Sequence, residues 1–137
     1  MNETTEQESG DPQRVLAGRK VYSPSVIAAY TALGNLPMGL ILYGLNIRAR
    51  GRRSLGMSMV CFGAAGLAIL VVLSLKGSAP RVPLFAVAVF GAINVYQLEK
   101  RPFEQALAHG AVRARWWPPA LMLLLVTAAT AALDWTL

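Results

Sequence analysis

The chain has 137 residues, 55% of them hydrophobic and only 15% charged, and its net charge is +6. A soluble domain of this length would carry about 25% charge, so the composition argues against an ordinary soluble enzyme. The basic balance does not point to nucleic acid, because the charges lie in the gaps between apolar stretches, where membrane topology and anionic headgroups explain them.

Residues 1–20 are read as a polar tail with an acidic start, Met1-Asn2-Glu3-Thr4-Thr5-Glu6-Gln7-Glu8, followed by Gly10 and Pro12. A signal peptide needs a basic start followed at once by an apolar core, and neither is present. This stretch is expected to be a disordered tail. Residues 21–137 are expected to form one domain, an all-α integral membrane four-helix bundle with short antiparallel connections. Its helices are placed at about residues 23–46, 55–75, 82–98 and 117–135, because four stretches there carry almost no charge. About 20 helical residues cross a hydrocarbon core of about 30 Å.

The first helix has Ser23 as a cap and Pro24 at its first position. Tyr22 and Tyr43 are 21 residues apart. That is about 31 Å along a helix, which would put one ring at each interface. Inside lies Gly34-Asn35-Leu36-Pro37-Met38-Gly39, where Pro37 removes a backbone bond and predicts a kink. The glycines would then serve close packing; the alternative is a broken helix that lines a ligand or ion site. Asn35 is polar at membrane depth and should seek a partner helix.

The second helix carries Gly56, Ser58, Gly63, Ala64, Ala65, Gly66 and Ala68, small residues suited to close helix approach, and is expected to be the packing centre. Cys61 lies within it as the only cysteine, read as a small apolar residue. The third helix starts near Pro80 and Pro83. Its polar groups, Asn94 and Gln97, are candidate intramembrane contacts, with Asn94 a possible partner of Asn35. Glu99, Lys100 and Arg101 mark the headgroup region. The fourth helix has Trp116, Trp117 and Trp135 as interfacial anchors, with Asp134 near the far interface.

The connections are basic. Arg48, Arg50, Arg52 and Arg53 are candidate lipid-headgroup contacts, although such a cluster is more often a topology signal. The third connection, Glu99 to Arg115, is long enough for a short surface helix with Pro102, Phe103, Ala106, Leu107 and Gly110 on one side. The first and third loops hold eight Lys and Arg, against five in the N-terminal flank and second loop. This favours residues 48–53 and 99–115 in the cytoplasm, both termini outside, and a multi-pass protein of the inner (plasma) membrane.

No catalytic constellation, cofactor motif or metal set is recognisable, so no enzyme activity and no cofactor is expected. His109 is single and cannot by itself make a zinc or two-histidine haem site. Tyr22-Ser23-Pro24, Gly34, Gly39, Asn46, Arg48 and Gly51, with Gln97, His109-Gly110 and Trp116-Trp117, resemble a group of small uncharacterised bacterial four-helix membrane proteins. The resemblance spans residues 22 to about 130, and Pro37 departs from the group's kink. It implies the fold and carries no activity. The function expected is an interaction, accessory or structural subunit of a membrane complex. Its partners are then the lipid bilayer and other membrane subunits or copies of itself, with no nucleic acid. The alternative is an oligomeric transporter or channel for ions or small molecules.

Overall fold

The computed structural model describes residues 16–77 and 81–136. The chain is helical over α1 (Pro24–Ala49), α2 (Arg53–Leu75), α3 (Arg81–Ala108) and α4 (Trp117–Thr136). A two-residue parallel ladder pairs β1 (Lys20–Val21) with β2 (Val112–Arg113). Most of the tail expected to be disordered, along with the side chains of Asn35, Asp134 and Trp135, lies outside the described residues.

Helix α1 begins as its sequence dictates, with the Val26 N–H donating to the Ser23 hydroxyl at 3.3 Å and Pro24 in the first turn. It does not run straight. A straight helix of 26 residues would separate its ends by about 39 Å. Instead the Tyr22 N–H donates to Asn46 Oδ1 at 2.7 Å, and Asn46 Nδ2 donates back to the Tyr22 carbonyl at 2.8 Å. Ile27 and Leu42 share one buried cluster, and a Cβ added at Gly39 would overlap the Thr31 side chain. All three pairings are centred on Gly34–Asn35. The segment is therefore a hairpin of two helical arms, 24–33 and 37–49, each about 15–20 Å long.

This corrects the expectation of one membrane-crossing helix at 23–46. Tyr22 and Tyr43 lie at the same end of α1, beside Asn46, and cannot mark opposite interfaces. The expected kink at Gly34, Pro37 and Gly39 is a full reversal of direction. Pro37 cannot continue the hydrogen-bond ladder of the first arm but suits the first turn of a second one. Gly39 lets that second arm close on Thr31, which is fully buried with its hydroxyl donating to the Ile27 carbonyl at 2.7 Å.

The hairpin, rather than α2, is the packing centre, because α2 and α3 each pack extensively on it and little on each other. The glycines of α2 make its side of that contact. A Cβ at Gly56 would sit 2.6 Å from the Gly44 carbonyl, and one at Gly63 would sit 2.7 Å from the Pro37 carbonyl. Helix α3 presents Ala88, Ala92, Val95 and Glu99 as one buried stripe at helical spacing, and Gly91 leaves room for Leu36 at the hairpin tip. Helix α4 meets the first arm through Ala120 and Leu123, and the Tyr30 hydroxyl donates to the Trp116 carbonyl at 2.7 Å.

The third helix also runs ten residues past its expected end near 98, so most of the expected loop 99–115 is helical. Its continuation buries Phe103 and Ala106 against Val21 and Ala111 in a second apolar cluster. That cluster, with the ladder, closes the end of the molecule where α1 both begins and ends.

Candidate functional site: a polar lock and a basic groove

Asn46 is the hinge pin of this closed end. It is 2% exposed, and its amide pairs with both backbone groups of Tyr22 as a neighbouring strand would. Its second N–H donates to Glu99 Oε2 at 3.0 Å. Glu99 is 1% exposed, and its other carboxylate oxygen accepts from the Arg50 guanidinium. Arg50 Nε in turn donates to the Asn46 carbonyl at 3.3 Å, which holds the last turn of α1. Burial of a carboxylate is costly unless charge and hydrogen bonds answer it. Here Arg50 supplies the charge and Asn46 the second bond. No buried side-chain N or O among the described residues lacks a partner.

Next to the lock, the flank before α1 is tied to the segment before α4. The Val112 N–H donates to the Arg19 carbonyl at 2.8 Å, Ala114 N–H to the Val21 carbonyl at 2.7 Å, and Gly18 N–H to the Gly110 carbonyl at 3.1 Å. Gly110 has φ +90°, a conformation other residues rarely take, and turns the chain out of α3 into the ladder. Arg19 Nη1 donates to the Ala49 carbonyl at 3.2 Å, a cation answering the free carbonyls of a helix end. The Arg113 guanidinium sits 5.7 Å from the centroid of the Phe103 ring. Between these segments lies an open groove of about 820 Å³, into which Arg19, Lys20, Arg48, Arg113 and Arg115 converge. Tyr22 also lines it. Burial raises the Tyr22 phenol above its ordinary value, with a smaller push from Tyr30, so the ring stays neutral there.

The four candidate headgroup arginines thus separate. Arg50 is committed to Glu99, Arg48 lines the groove, and Arg52 and Arg53 are exposed outside it. Asn94 is exposed and its Nδ2 donates to the Phe90 carbonyl of its own helix at 2.8 Å. Gln97 is also exposed, so neither joins the lock. Trp116 and Trp117 are exposed near the start of α4. His109 is exposed with Nδ1 beside the Gln105 carbonyl, Cys61 is exposed on α2, and no group of metal-ligating residues occurs among the described residues.

Sequence reasoning placed Glu99 in the headgroup region and named Asn46 only within a resemblance. A usable signal exists in hindsight. Asn46 lies between Leu45 and Ile47, and Glu99 falls four residues after Val95 and seven after Ala92, on the apolar face of its helix. Comparison with known proteins returns no family model, no curated protein and no solved structure that matches the chain.

Proposed function

We propose that this is a small multi-pass membrane protein that acts as an interaction or accessory subunit of a membrane complex. Helix α2 is long and apolar enough to cross a membrane. Phe62 on α2, Phe85 and Phe90 on α3, and Leu124 and Leu125 on α4 are each more than half exposed, a pattern suited to lipid or to partner helices. In this reading α2, α3 and α4 cross the bilayer. The α1 hairpin re-enters on one side, and its arms reach about the middle of a 30 Å core.

A re-entrant α1 changes the expected orientation. Arg19, Lys20, Arg48, Arg50, Arg52, Arg53, Lys100, Arg101, Arg113 and Arg115 then share one side, against Lys76 and Arg81 on the other. The basic side is cytoplasmic by the positive-inside rule, which puts the N-terminal flank inside and the C-terminus outside.

The observation that carries the accessory reading is the state of the buried polar groups. Asn46, Glu99 and Arg50 satisfy one another and seal the hairpin base. The groove at membrane depth, between the first arm and α4, is apolar and opens sideways, with Ala29, Tyr30, Leu33, Ala120 and Leu124 among its walls. Such a surface receives a helix better than it conducts an ion. A channel reading has one observation in its favour, the chain reversal at mid-bilayer depth, a device transporters use to shape sites.

Purification of the tagged chain in mild detergent separates the two. An accessory subunit co-purifies with larger subunits at fixed ratio, and Ala29→Trp, which fills the groove, removes them without lowering the thermal midpoint. A homo-oligomer that renders reconstituted vesicles permeable to ions overturns this reading in favour of the channel.

A further inference from the structure

The basic groove is left over once the lock is explained. We propose that it binds the phosphate of an anionic phospholipid at the membrane surface; this rests on the membrane reading above. Five cations face it from three separate segments: Arg19 and Lys20 from the flank and β1, Arg48 from the end of α1, and Arg113 and Arg115 from β2 and beyond. No carboxylate lines it among the described residues. Glu99, a buried acid, already answers Arg50. Among the described residues, the groove therefore gathers positive charge with no carboxylate in its wall to balance it.

Three of the five cations sit on anchored segments or contacts. The β1–β2 ladder fixes the backbone of Lys20 and Arg113, the Ala49 carbonyl holds the Arg19 guanidinium, and the Phe103 ring lies beside that of Arg113. A pre-formed site loses less side-chain freedom on binding than loose surface charges would. Its walls are mixed. Leu45 of α1 lines the same groove as the cations, with Trp117 and Pro118 at the start of α4, a helix that enters the bilayer in this reading. Phosphate against guanidinium with glycerol and acyl carbons against Leu45 and Trp117 uses both kinds of wall, whereas a free phosphate uses one. Bidentate contact to phosphate oxygens also suits four arginines better than it would suit lysines.

The test is native mass spectrometry of the full chain in nonionic detergent with equal phosphatidylglycerol and phosphatidylcholine added. Retained adducts are expected to be mainly phosphatidylglycerol. Arg48→Gln with Arg115→Gln, both exposed positions, should weaken its retention about thirty-fold. Arg52→Gln with Arg53→Gln removes the same charge from the same end but outside the groove, and should change retention less than about twofold. Ala114→Glu, which adds a carboxylate to the groove wall with every arginine intact, should abolish it.

Equal retention of the two lipids overturns the proposal, as does an equal loss in the Arg52/Arg53 variant. Displacement by inorganic phosphate at the concentration of the lipid overturns the lipid assignment in favour of a soluble phosphate. Alkaline carbonate extraction of the native membranes tests the membrane reading separately. Release there defeats that reading, whatever the adducts in detergent show.

Discussion

Helices α1 and α2 look alike as strings of letters and behave in opposite ways. Each holds a charge-free run longer than 20 residues with glycines spaced through it. Helix α2 continues straight and buries little besides Gly56 and Gly63. Helix α1 folds back on itself and supplies much of the core, with Ile27, Tyr30, Met38, Ile41 and Leu42 all buried. The difference lies in two features that hydropathy does not register. One is the local punctuation Gly34-Asn35-Leu36-Pro37, which can end one helix and start the next. The other is Asn46, whose amide can close the two ends together.

The sharpest way to break this comparison is to measure the separation of the two ends of α1. Spin labels on Ser25→Cys and Arg48→Cys, both exposed positions, in a Cys61→Ala background report that distance. The hairpin brings the two ends of α1 together, so the labels should lie far closer than the roughly 35 Å that 23 residues span in a continuous helix. A separation of about 35 Å or more would mean that α1 is a single span.

A smaller effect is expected at the lock. Asn46→Leu strands the Tyr22 backbone pair and one oxygen of Glu99 in a buried site, and should lower stability by about 2–4 kcal/mol in detergent unfolding. Any polar residue deleted from the exposed stretch of α2, such as Ser58, should cost far less, and equal losses at the two sites would dissolve the contrast.

The glycines give the finest distinction. Gly63→Ala drives its Cβ into the Pro37 carbonyl and the Ile41 main chain, and should cost about 1–3 kcal/mol. Gly91→Ala meets the end of the Leu36 side chain, which can turn aside, and should cost less than about 1 kcal/mol. Reversal of that order by thermal unfolding would mean that the hairpin tip, not its second arm, is the tighter contact.

Much of the helical content was legible. Four apolar stretches, the Ser23-Pro24 start and the Gly56/Gly63 stripe are local signals, and each element begins within a few residues of its expected place. The extension of α3 to Ala108 was hidden because Glu99, Lys100 and Arg101 read as a membrane boundary. The reading changes only when Arg50 and Asn46, about fifty residues earlier, are found to answer Glu99. The basic cluster at Arg48–Arg53 read as one patch, yet helix periodicity turns Arg50 inward and Arg48 toward the groove.

The sequence by itself determined that the chain is helical and rich in apolar surface, because composition and periodicity act within a few turns. Tertiary structure decided which way α1 runs, where α3 ends and which cations face the groove. Those outcomes depend on groups that meet only after folding: the Tyr22 backbone with the Asn46 amide, the Arg50 side chain with that of Glu99, and the Val112 N–H with the Arg19 carbonyl.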